Sequence, residues 1–463
     1  MIVNNATFKT YNARDCVGTY DAWADLKSEL KEFGQLDFYT SFVRPLAAAV
    51  YAMQMRGMPC DVGRLAKAQQ DAQSKVASLR EELRPVGAAV DLLDFNPSSN
   101  PQMAQFLGAF GLHSGRRTNK GALKADKTEI ITALLGVAGT QTEPIFEKII
   151  QYRGEVDDYG DFLKPIRPWP DGRVRARFLA TTRTGRLQSR KWITQWGSGC
   201  EFQNIPDDMR RMYCAPPGYV FVQADASQLE LVIMAYEAGV QRWVEAIAAG
   251  ESIHVLNMMN VMRCTKEEAL HAKAQHVEGC ARHQECHKRY VTIKKFVFAD
   301  NYWAELPTIQ EQLLKEARIL IPMSSLQDIM ASYRSFLPEI EAWRNWAYAD
   351  ALANRQITNR FGRLRRLLEP KDKIRGISVN SRIQSTGADF INKGFLALHA
   401  EGHELVNQVH DSVVLLCRKE DAAATRDAIK GAFSHAIRIK DLDVRVKMDV
   451  SVGESWGEME PFN

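Results

Sequence analysis

Apolar and polar positions alternate between helical and strand-like spacing along the chain. Residues 60–93 have helical periodicity that opens at Asp61, a predicted N-cap, and the polar segment 95–102 ends it. From about residue 170 the pattern changes to short β-like runs, and it turns helical again over 240–345. This succession predicts an α+β fold, in which a β-rich core is interrupted by a long helical insertion.

An aspartate interrupts an apolar run near the carboxyl terminus, "NQVHDSVVLL" at residues 407–416. Val409 and residues 413–416 have the composition of buried strands, and His410, Asp411 and Ser412 between them predict a tight turn. Burying a carboxylate costs several kcal/mol unless a positive partner meets it. Asp411 therefore needs a cation, unless it is a simple turn residue.

A second aspartate stands at a predicted strand tip, in "YVFVQADASQLELVIMAY". The strand is expected to end at Ala224, with Asp225 at its tip and a helix after it. Ser227 and Glu230 have capping-box spacing, which accounts for Glu230 as a helix N-terminus but leaves Asp225 unexplained. Two strand-tip carboxylates are the ligands that two-metal phosphoryl transfer requires, and Mg²⁺ prefers such oxygen ligands.

Basic residues cluster more than the net charge of +4 suggests. Residues 173–191 hold seven arginines and lysines and no acidic residue, and residues 355–375 hold a second basic cluster. Such patches suit nucleic acid, although a solvated basic face gives the same pattern. A length of 463 residues with 45% hydrophobic content allows two or three domains.

The chain has no apolar run of the ~18 residues that a membrane span needs, and its first residues lack the build of a secretory signal. Its eight cysteines are scattered, which fits reduced thiols better than a disulfide framework. These features predict a cytoplasmic protein with no membrane partner.

An ordered series of motifs resembles family A (Pol I-like) DNA polymerases. "QADASQLEL" resembles their motif A, "KKFVFADNYW" a divergent motif B on the fingers helix, and "QVHDS" their motif C. Further matches follow in the family's order: "RGMPCDVGRL", "FNPSSNPQ", "TGRLQS", "FQNIP", "NRFGRLRRL" and "VNSRIQSTGADFI". The resemblance covers roughly residues 45–463.

The resemblance implies a right-hand fold with an antiparallel β palm, helical fingers and a helical thumb. The implied division is 1–44 for a remnant of an exonuclease domain or a linker, 45–165 for the thumb, 166–240 and 350–463 for the palm, and 241–349 for the fingers. "YNARD" at residues 11–15 resembles the last motif of a 3′–5′ proofreading exonuclease. We therefore expect only the tail of such a domain, without its own exonuclease activity.

Site roles carry over from the matching positions. Asp225 and Asp411 are the expected catalytic ligands of two Mg²⁺ ions, and Lys294 the expected catalytic lysine at the triphosphate. Glu230 is expected to crowd the sugar 2′ position and exclude ribonucleotides. The other expected nucleotide-binding residues are Gln228, His254, Arg289, Phe298 and Tyr302. The expected DNA-binding residues are Arg186, Asn380, Gln384 and His410.

The sequence departs from the family pattern at the fingers helix and at motif C. One turn before Lys294, where the family usually has an arginine for the phosphates, this chain has Tyr290, with Arg289 just off register. Trp303 replaces a usual glycine, and Ser412 replaces a common glutamate. Either Arg289 reaches around to replace the missing arginine, or phosphate binding is organised differently.

The expected function is template-directed extension of a primer 3′-hydroxyl with dNTPs, with primer-template DNA as partner. A separate exonuclease or a processivity factor is a further candidate partner, and the compact chain suggests a phage or mobile-element origin in a host cytoplasm. One alternative is an enzyme like the single-subunit RNA polymerases, which Glu230 opposes. The other is a non-catalytic DNA-binding subunit, which the presence of both aspartates opposes.

A cysteine- and histidine-rich segment, residues 264–287, precedes the fingers helix. His276, Cys280, His283 and His287 have the spacing of one helical stripe, and neighbouring pairs have the residue types of zinc ligands. One helix rarely wraps four ligands around an ion, and the spacing lacks the paired CxxC of structural zinc sites. A polar helix face is therefore the favoured interpretation over zinc.

Overall fold

Helices and one large antiparallel sheet make up the computed structural model, which describes residues 5–274, 280 and 283–462, with side chains from residue 9 onward. This mixture agrees with the predicted α+β class. The helices are α1 (Asn5–Glu32), α2 (Leu36–Phe38), α3 (Arg44–Arg56), α4 (Val62–Ala88), α5 (Asn100–Ala109), α6 (Lys127–Gly136), α7 (Glu143–Asp158), α8 (Leu229–Ala238), α9 (Gln241–Ala248), α10 (Ile253–Met262), α11 (Lys266–Lys273), α12 (His283–Asn301), α13 (Leu306–Ala317), α14 (Met323–Phe336), α15 (Pro338–Asn354), α16 (Lys371–Ala400) and α17 (Ala422–Ala432). None of these helices is long and apolar enough to cross a membrane.

The main sheet has five strands in the order β10-β11-β7-β14-β15. The strands of the described chain are β1 (Met58–Pro59), β2 (Arg173–Val174), β3 (Arg177–Leu179), β4 (Gln188–Arg190), β5 (Trp192–Ile193), β6 (Ser198–Gly199), β7 (Tyr219–Ala226), β8 (Gln356–Thr358), β9 (Leu364–Arg366), β10 (Glu404–Val409), β11 (Ser412–Arg418), β12 (Ile437–Ile439), β13 (Leu442–Val444), β14 (Met448–Ser455) and β15 (Glu458–Pro461). β7 occupies the centre because Phe221, Val222 and Ala224 are fully buried, which suits a strand covered on both faces. The strand runs through Asp225 to Ala226 and does not end at Ala224 as predicted.

A two-residue turn joins β10 to β11. Val409 pairs with Ser412, so His410 and Asp411 form the turn, and His410 has a φ of 50°. Positive φ at a central residue matches the twist of a two-residue hairpin. The Ser412 hydroxyl donates to the Val409 carbonyl at 2.9 Å, which gives a local reason for serine at this position. The tight turn predicted at this aspartate is therefore present.

Helices α4 to α7 surround a small core of their own. The predicted N-cap is correct, since the Asp61 side chain accepts from the Arg64 amide at 2.9 Å, although α4 ends at Ala88 and not near 93. Leu83, Phe106 and Phe146 are buried in this core. The exonuclease-like residues 11–15 lie within the exposed helix α1.

Helix α16 crosses α8 and holds it against the sheet. A Cβ added at Gly387 of α16 would lie 3.1 Å from the Leu229 side chain, so the two helices approach closely at this point. Because α8 follows β7 directly, this packing fixes the segment that carries Asp225 and Glu230.

Candidate active site

Three aspartates meet at one end of the main sheet. The antiparallel register sets Asp225 of β7 opposite Ser412 on one side and opposite Asp449 of β14 on the other. The Ala226 amide donates to the Asp411 carbonyl at 3.0 Å, which joins the turn to the end of β7. Asp225, at the end of β7, and Asp411, in the turn that leads into the neighbouring β11, are distant in sequence and lie at the same end of the sheet. Asp449 is a third carboxylate that the sequence patterns did not single out.

The negative charges of Asp411 and Asp449 repel that of Asp225. Burial by surrounding protein, followed by the charges of Asp411 and Asp449, raises the pKa of Asp225 to about 6, although its side chain is open to solvent in the cleft. Burial also raises the pKa of Asp411, and Arg186, 3.8 Å away, opposes that rise. Within the described part of the chain no cation pairs with Asp225. This end of the sheet therefore carries uncompensated negative charge.

The donor set fits a hard divalent cation. Asp225 and Asp411 offer carboxylate oxygens, and the unpaired charge of Asp225 is what such an ion would neutralise. Among the described residues no three His, Cys, Asp or Glu side chains converge closely enough to hold an ion by themselves. An ion at this site would complete its shell with water or phosphate oxygens, as Mg²⁺ does.

Glu230 is held across the cleft and does not cap its helix. It is 7% exposed, and its two oxygens accept hydrogen bonds from the Arg186 guanidinium and the Tyr302 hydroxyl. Helix α8 begins at Leu229, and Gln228 stands at the N-cap with a φ of 53° and no capping side chain. The predicted capping box of Ser227 and Glu230 is wrong, because the strand continues through Ala226 and two polar partners engage Glu230 instead.

Gln228 connects the end of β7 to the start of α10. Its side-chain oxygen accepts from the Ile253 amide at 3.0 Å, at the start of α10. The next residue, His254, has a buried ring Nδ1 without a hydrogen-bond partner among the described residues. Burial, followed by the charges of Lys294 and Lys273, lowers the pKa of His254 to about 4, so the imidazole is neutral at pH 7.

An open cleft of about 580 Å³ lies above the aspartates. Its lining brings together many of the predicted site residues: Arg186, Asp225, Gln228, Glu230, His254, Lys294, Phe298, His410 and Asp411. It also includes Ser227, Ser252, Lys273 and Tyr290. On α12 the residues Tyr290, Lys294 and Phe298 follow each other at four-residue spacing, so one helix face forms the wall.

Four predicted residues lie outside this lining. Tyr302 follows the end of α12 and contacts the cleft through Glu230. Asn380 and Gln384 lie one turn apart on α16 and are partly exposed. Arg289 is turned away, and its guanidinium donates to the Met262 carbonyl at 3.5 Å at the end of α10. Since one helical step separates it from the cleft-lining Tyr290, the expectation that Arg289 replaces the missing arginine is not supported.

Comparison with known families decides the identity of this arrangement. The sequence model described as DNA polymerase family A matches residues 62–458. The chain belongs to DNA polymerase family A. The match includes both aspartates of the sheet and the wall helix α12.

Curated relatives of this family A chain are bacterial polymerases. It is 25% identical to "DNA polymerase I, thermostable" of Thermus aquaticus over 462 residues, which covers 94% of this chain and 49% of that protein. It is 24% identical to DNA polymerase I of Bacillus subtilis, covering 93% of this chain and 47% of that protein. The chain spans about half the length of the curated relatives it matches.

A solved structure shares the fold of this family A chain. It is described as the POL domain of Pol1 from M. smegmatis in complex with DNA primer-template and dNTP. The TM-score is 0.75 at 18% sequence identity, and the match covers 93% of this chain and 73% of that chain. The predicted right-hand polymerase fold is thereby confirmed.

One departure from the family pattern, Trp303, has a local explanation. Trp303 adopts a φ of 61°, the left-handed conformation that favours glycine, and the Arg375 guanidinium lies 4.4 Å from its ring centroid. Tyr348 packs edge-on against the same ring at 5.9 Å. A residue held in this conformation stores strain of roughly 1 kcal/mol or more, which these contacts offset.

Histidines of α11 and α12 join these two helices of the family A chain. Helix α12 begins at His283, so Cys280 is not on it, and His276 lies outside the described residues. The His271 and His283 rings pack edge-on at 5.0 Å, and His283 is 6% exposed. The described part of the predicted stripe is therefore not one exposed polar helix face, because His283 and His287 contact α11. No group of three metal-ligating side chains occurs among the described residues, and with His276 outside them zinc binding stays a prediction of the sequence that is not tested.

Proposed function

We propose that this chain is a template-directed DNA polymerase that extends a primer 3′-hydroxyl with dNTPs by two-metal-ion nucleotidyl transfer. The observation that carries the proposal is the pair Asp225, at the end of β7, and Asp411, in the turn before the neighbouring β11, at the floor of a cleft whose wall presents Lys294. Family membership supports it, and so does the likeness to a polymerase domain described with DNA primer-template and dNTP.

The aspartates of the floor would hold the metal ions, and magnesium is the ion that their oxygen donors favour. When bound, two such ions activate the attacking oxygen and stabilise the leaving one. Arg186, 3.8 Å from Asp411, limits the electrostatic cost of keeping that carboxylate ionised before an ion arrives.

The wall of the cleft would receive the nucleotide. Lys294 supplies positive charge to the triphosphate and to the developing negative charge of the leaving pyrophosphate. Phe298 is 45% exposed and offers an aromatic face to the base. Neutral His254 and Gln228 complete the pocket beside the phosphates.

Glu230 would select deoxyribose in this proposal. Its position between Arg186 and Tyr302 leaves it no freedom to swing away from a bound sugar. A side chain fixed against the 2′ position excludes a hydroxyl by steric overlap and by desolvation without a partner. This opposes the single-subunit RNA polymerase alternative.

DNA contacts belong to the same proposal. Arg186, Asn380, Gln384 and His410 are the candidates for the duplex near the primer terminus, where minor-groove acceptors common to all base pairs report shape. The division into thumb (45–165), palm (166–240 and 350–463) and fingers (241–349) is proposed with them. A separate exonuclease or processivity factor as partner and a phage origin in a host cytoplasm stay predictions of the sequence.

The deciding experiment is primer extension by wild type and by Asp411→Ala, each with and without Mg²⁺. We expect the variant to lose extension while primer-template affinity stays measurable by fluorescence anisotropy. Asp441→Ala, which removes an exposed carboxylate from the turn between β12 and β13, is the matched control and should keep extension. Normal extension by Asp411→Ala would overturn the proposal, and efficient rNTP use by wild type would favour the RNA polymerase alternative.

A further inference from the structure

The positive charges lining the cleft are not equivalent. Within the described lining the cations are Arg186, Lys273 and Lys294. Arg186 is neutralised by Glu230, whereas neither lysine forms an ion pair with any described carboxylate. Lysines just beside them do: Lys295 pairs with Glu316, and Lys266 of α11 pairs with Glu251. Lys273 and Lys294 are thus the cations left available to a ligand in this cleft.

Besides burial, Lys294 and Lys273 both lower the pKa of His254. His254 lines the cleft, and Lys294 and Lys273 are the two charges that add to burial in lowering its pKa. Its ring Nδ1 is buried and has no partner within the described residues. Two free ammonium groups and one unpartnered imidazole nitrogen therefore belong to the same wall of the cleft.

Packing fixes the end of α11 that carries Lys273. The preceding residue, Ala272, is fully buried, and its carbonyl accepts a hydrogen bond from His287 Nδ1 at 2.9 Å. His271 packs against His283, one turn before His287 at the start of α12. The histidine contact therefore attaches Lys273 to the helix that presents Lys294.

Helix α12 alone offers little charge to an anion. Its cleft face consists of Tyr290, Lys294 and Phe298, and Tyr290 is 7% exposed and uncharged. Arg289 is turned toward the Met262 carbonyl. A triphosphate carries several negative charges, so a second cation has to come from a neighbouring element.

We infer that Lys273 of α11 is the second cation that binds the triphosphate of the incoming nucleotide, beside Lys294. The identity of this ligand rests on the proposed function. Lysine suits the role because its ammonium group is a compact charge on a flexible stem that reaches phosphate oxygens from a helix end.

A purely structural role makes a different prediction. Lys273 is the last residue of α11, where a cation interacts favourably with the helix dipole. On that reading its loss lowers the melting temperature slightly and leaves nucleotide binding unchanged. The two roles therefore separate in the comparison of KM with thermal stability.

The test is single-nucleotide incorporation over a dNTP titration with Lys273→Ala, Lys273→Arg and the control Lys266→Ala. We expect Lys273→Ala to raise the KM for dNTP about tenfold, the effect of losing one charge-assisted hydrogen bond, with the Kd for primer-template kept within about twofold. Lys273→Arg should restore most of the loss, and Lys266→Ala, with the same charge change on the same helix, should match wild type. A KM for Lys273→Ala within about twofold of wild type, an equal rise in Lys266→Ala, or a rise confined to primer-template Kd would overturn the inference.

A second measurement needs no catalysis. Inorganic tripolyphosphate added to the protein without DNA should raise the melting temperature of wild type, and the rise should shrink in Lys273→Ala and in Lys294→Ala. If wild type extends no primer but shows this lysine-dependent binding, the proposed function fails while a polyphosphate site remains. If wild type extends primers and Lys273→Ala changes neither the dNTP KM nor tripolyphosphate binding, the inference alone fails.

Discussion

The floor and the wall of the cleft have opposite charges, and each leaves some of them unpaired within the described chain: Asp225 on the floor, and Lys273 and Lys294 on the wall. The floor has Asp225 and Asp411, with Asp449 beside them, and the wall has Lys273 and Lys294. Elsewhere in the core charges are matched, as where Arg363 donates to Asp389 at 2.7 Å. In the proposed function, the unpaired charges would serve metal ions on one side and a polyanion on the other, at a cost in stability of the empty protein.

The two surfaces are also specified differently. Backbone register in a sheet places the aspartates, so that one hydrogen-bonded ladder fixes their neighbourhood. The lysines come from two helices that meet through His271, His283 and His287. The floor is therefore the more rigidly determined surface, and the wall depends on side-chain packing between helices.

Removing charge from the floor should have the largest effect. Asp225→Asn is expected to lower primer extension about 1,000-fold or more, because a metal ligand contributes several kcal/mol to the transition state. Extension within about tenfold of wild type would show that the floor is not where the ions bind.

The same variant should make the metal-free protein more stable. The pKa of Asp225 is raised from 3.8 to about 6 in the folded protein, so ionisation destabilises the fold as pH rises through that window. Asp225→Asn should therefore gain on the order of 1 kcal/mol above pH 6, a value discounted for the solvent exposure of the side chain, and nothing below pH 4. Urea unfolding at pH 8 and pH 4 in EDTA measures the gain, and a loss of stability at pH 8 would contradict it.

Removing charge from the wall should have the next largest effect. Lys294→Ala is expected to lower kcat/KM for dNTP about 10- to 100-fold, as expected for a hydrogen bond to a charged group. Lys295→Ala, one position along α12 and paired with Glu316, is the matched control. An equal loss in both variants would mean that helix stability, and not the cleft charge, was measured.

Glu230, between the floor and the wall, should affect the selectivity for dNTP over rNTP more than the rate of dNTP incorporation. Glu230→Ala is expected to lower discrimination against ribonucleotides by about 10- to 100-fold, since a small steric contact is worth that range. The measurement is the ratio of kcat/KM for dNTP and rNTP in the presence of Mg²⁺. Unchanged discrimination against ribonucleotides would show that Glu230 only bridges Arg186 and Tyr302 structurally.

Lowering the pH should weaken Mg²⁺ binding at the floor more than tripolyphosphate binding at the wall, and this is the smallest expected effect. Protonating Asp225 below its pKa of about 6 removes a ligand, so Mg²⁺ affinity should fall about tenfold from pH 8 to pH 5. Tripolyphosphate binding should change less over this range, because lysines stay charged and His254, with a pKa of about 4, stays neutral. Calorimetric titration of each ligand at both pH values tests the contrast, and equal losses for both ligands would refute it.

Sequence patterns identified two of the three aspartates of the floor. Asp225 and Asp411 are conspicuous because each follows or interrupts an apolar run. Asp449 lies in an alternating strand, where an acidic residue is ordinary, and only pairing of β14 with β7 sets it opposite Asp225. Glu230 had the spacing of a capping box, yet Arg186 and Tyr302 from distant segments engage it instead.

The wall was predicted less completely for a similar reason. Four-residue spacing on one helix identified Lys294 and Phe298, because helical periodicity is a local property. No sequence pattern identified Lys273, because a lysine at a helix end is common and its position in the cleft depends on how α11 packs on α12. Arg289 is the basic residue next to Tyr290 in the sequence, but the rotation of one helical step directs its side chain away from the cleft.

The sequence by itself determined the family, the mixed fold class, the pair of catalytic aspartates as candidates, and the face of the fingers helix. Tertiary structure decided which charges remain unpaired, which carboxylate joins the floor from β14, and which lysine outside α12 lines the cleft. The physical reason is that periodicity and turn chemistry depend on neighbours along the chain, whereas the pairing of charges depends on distances between segments that only folding brings together.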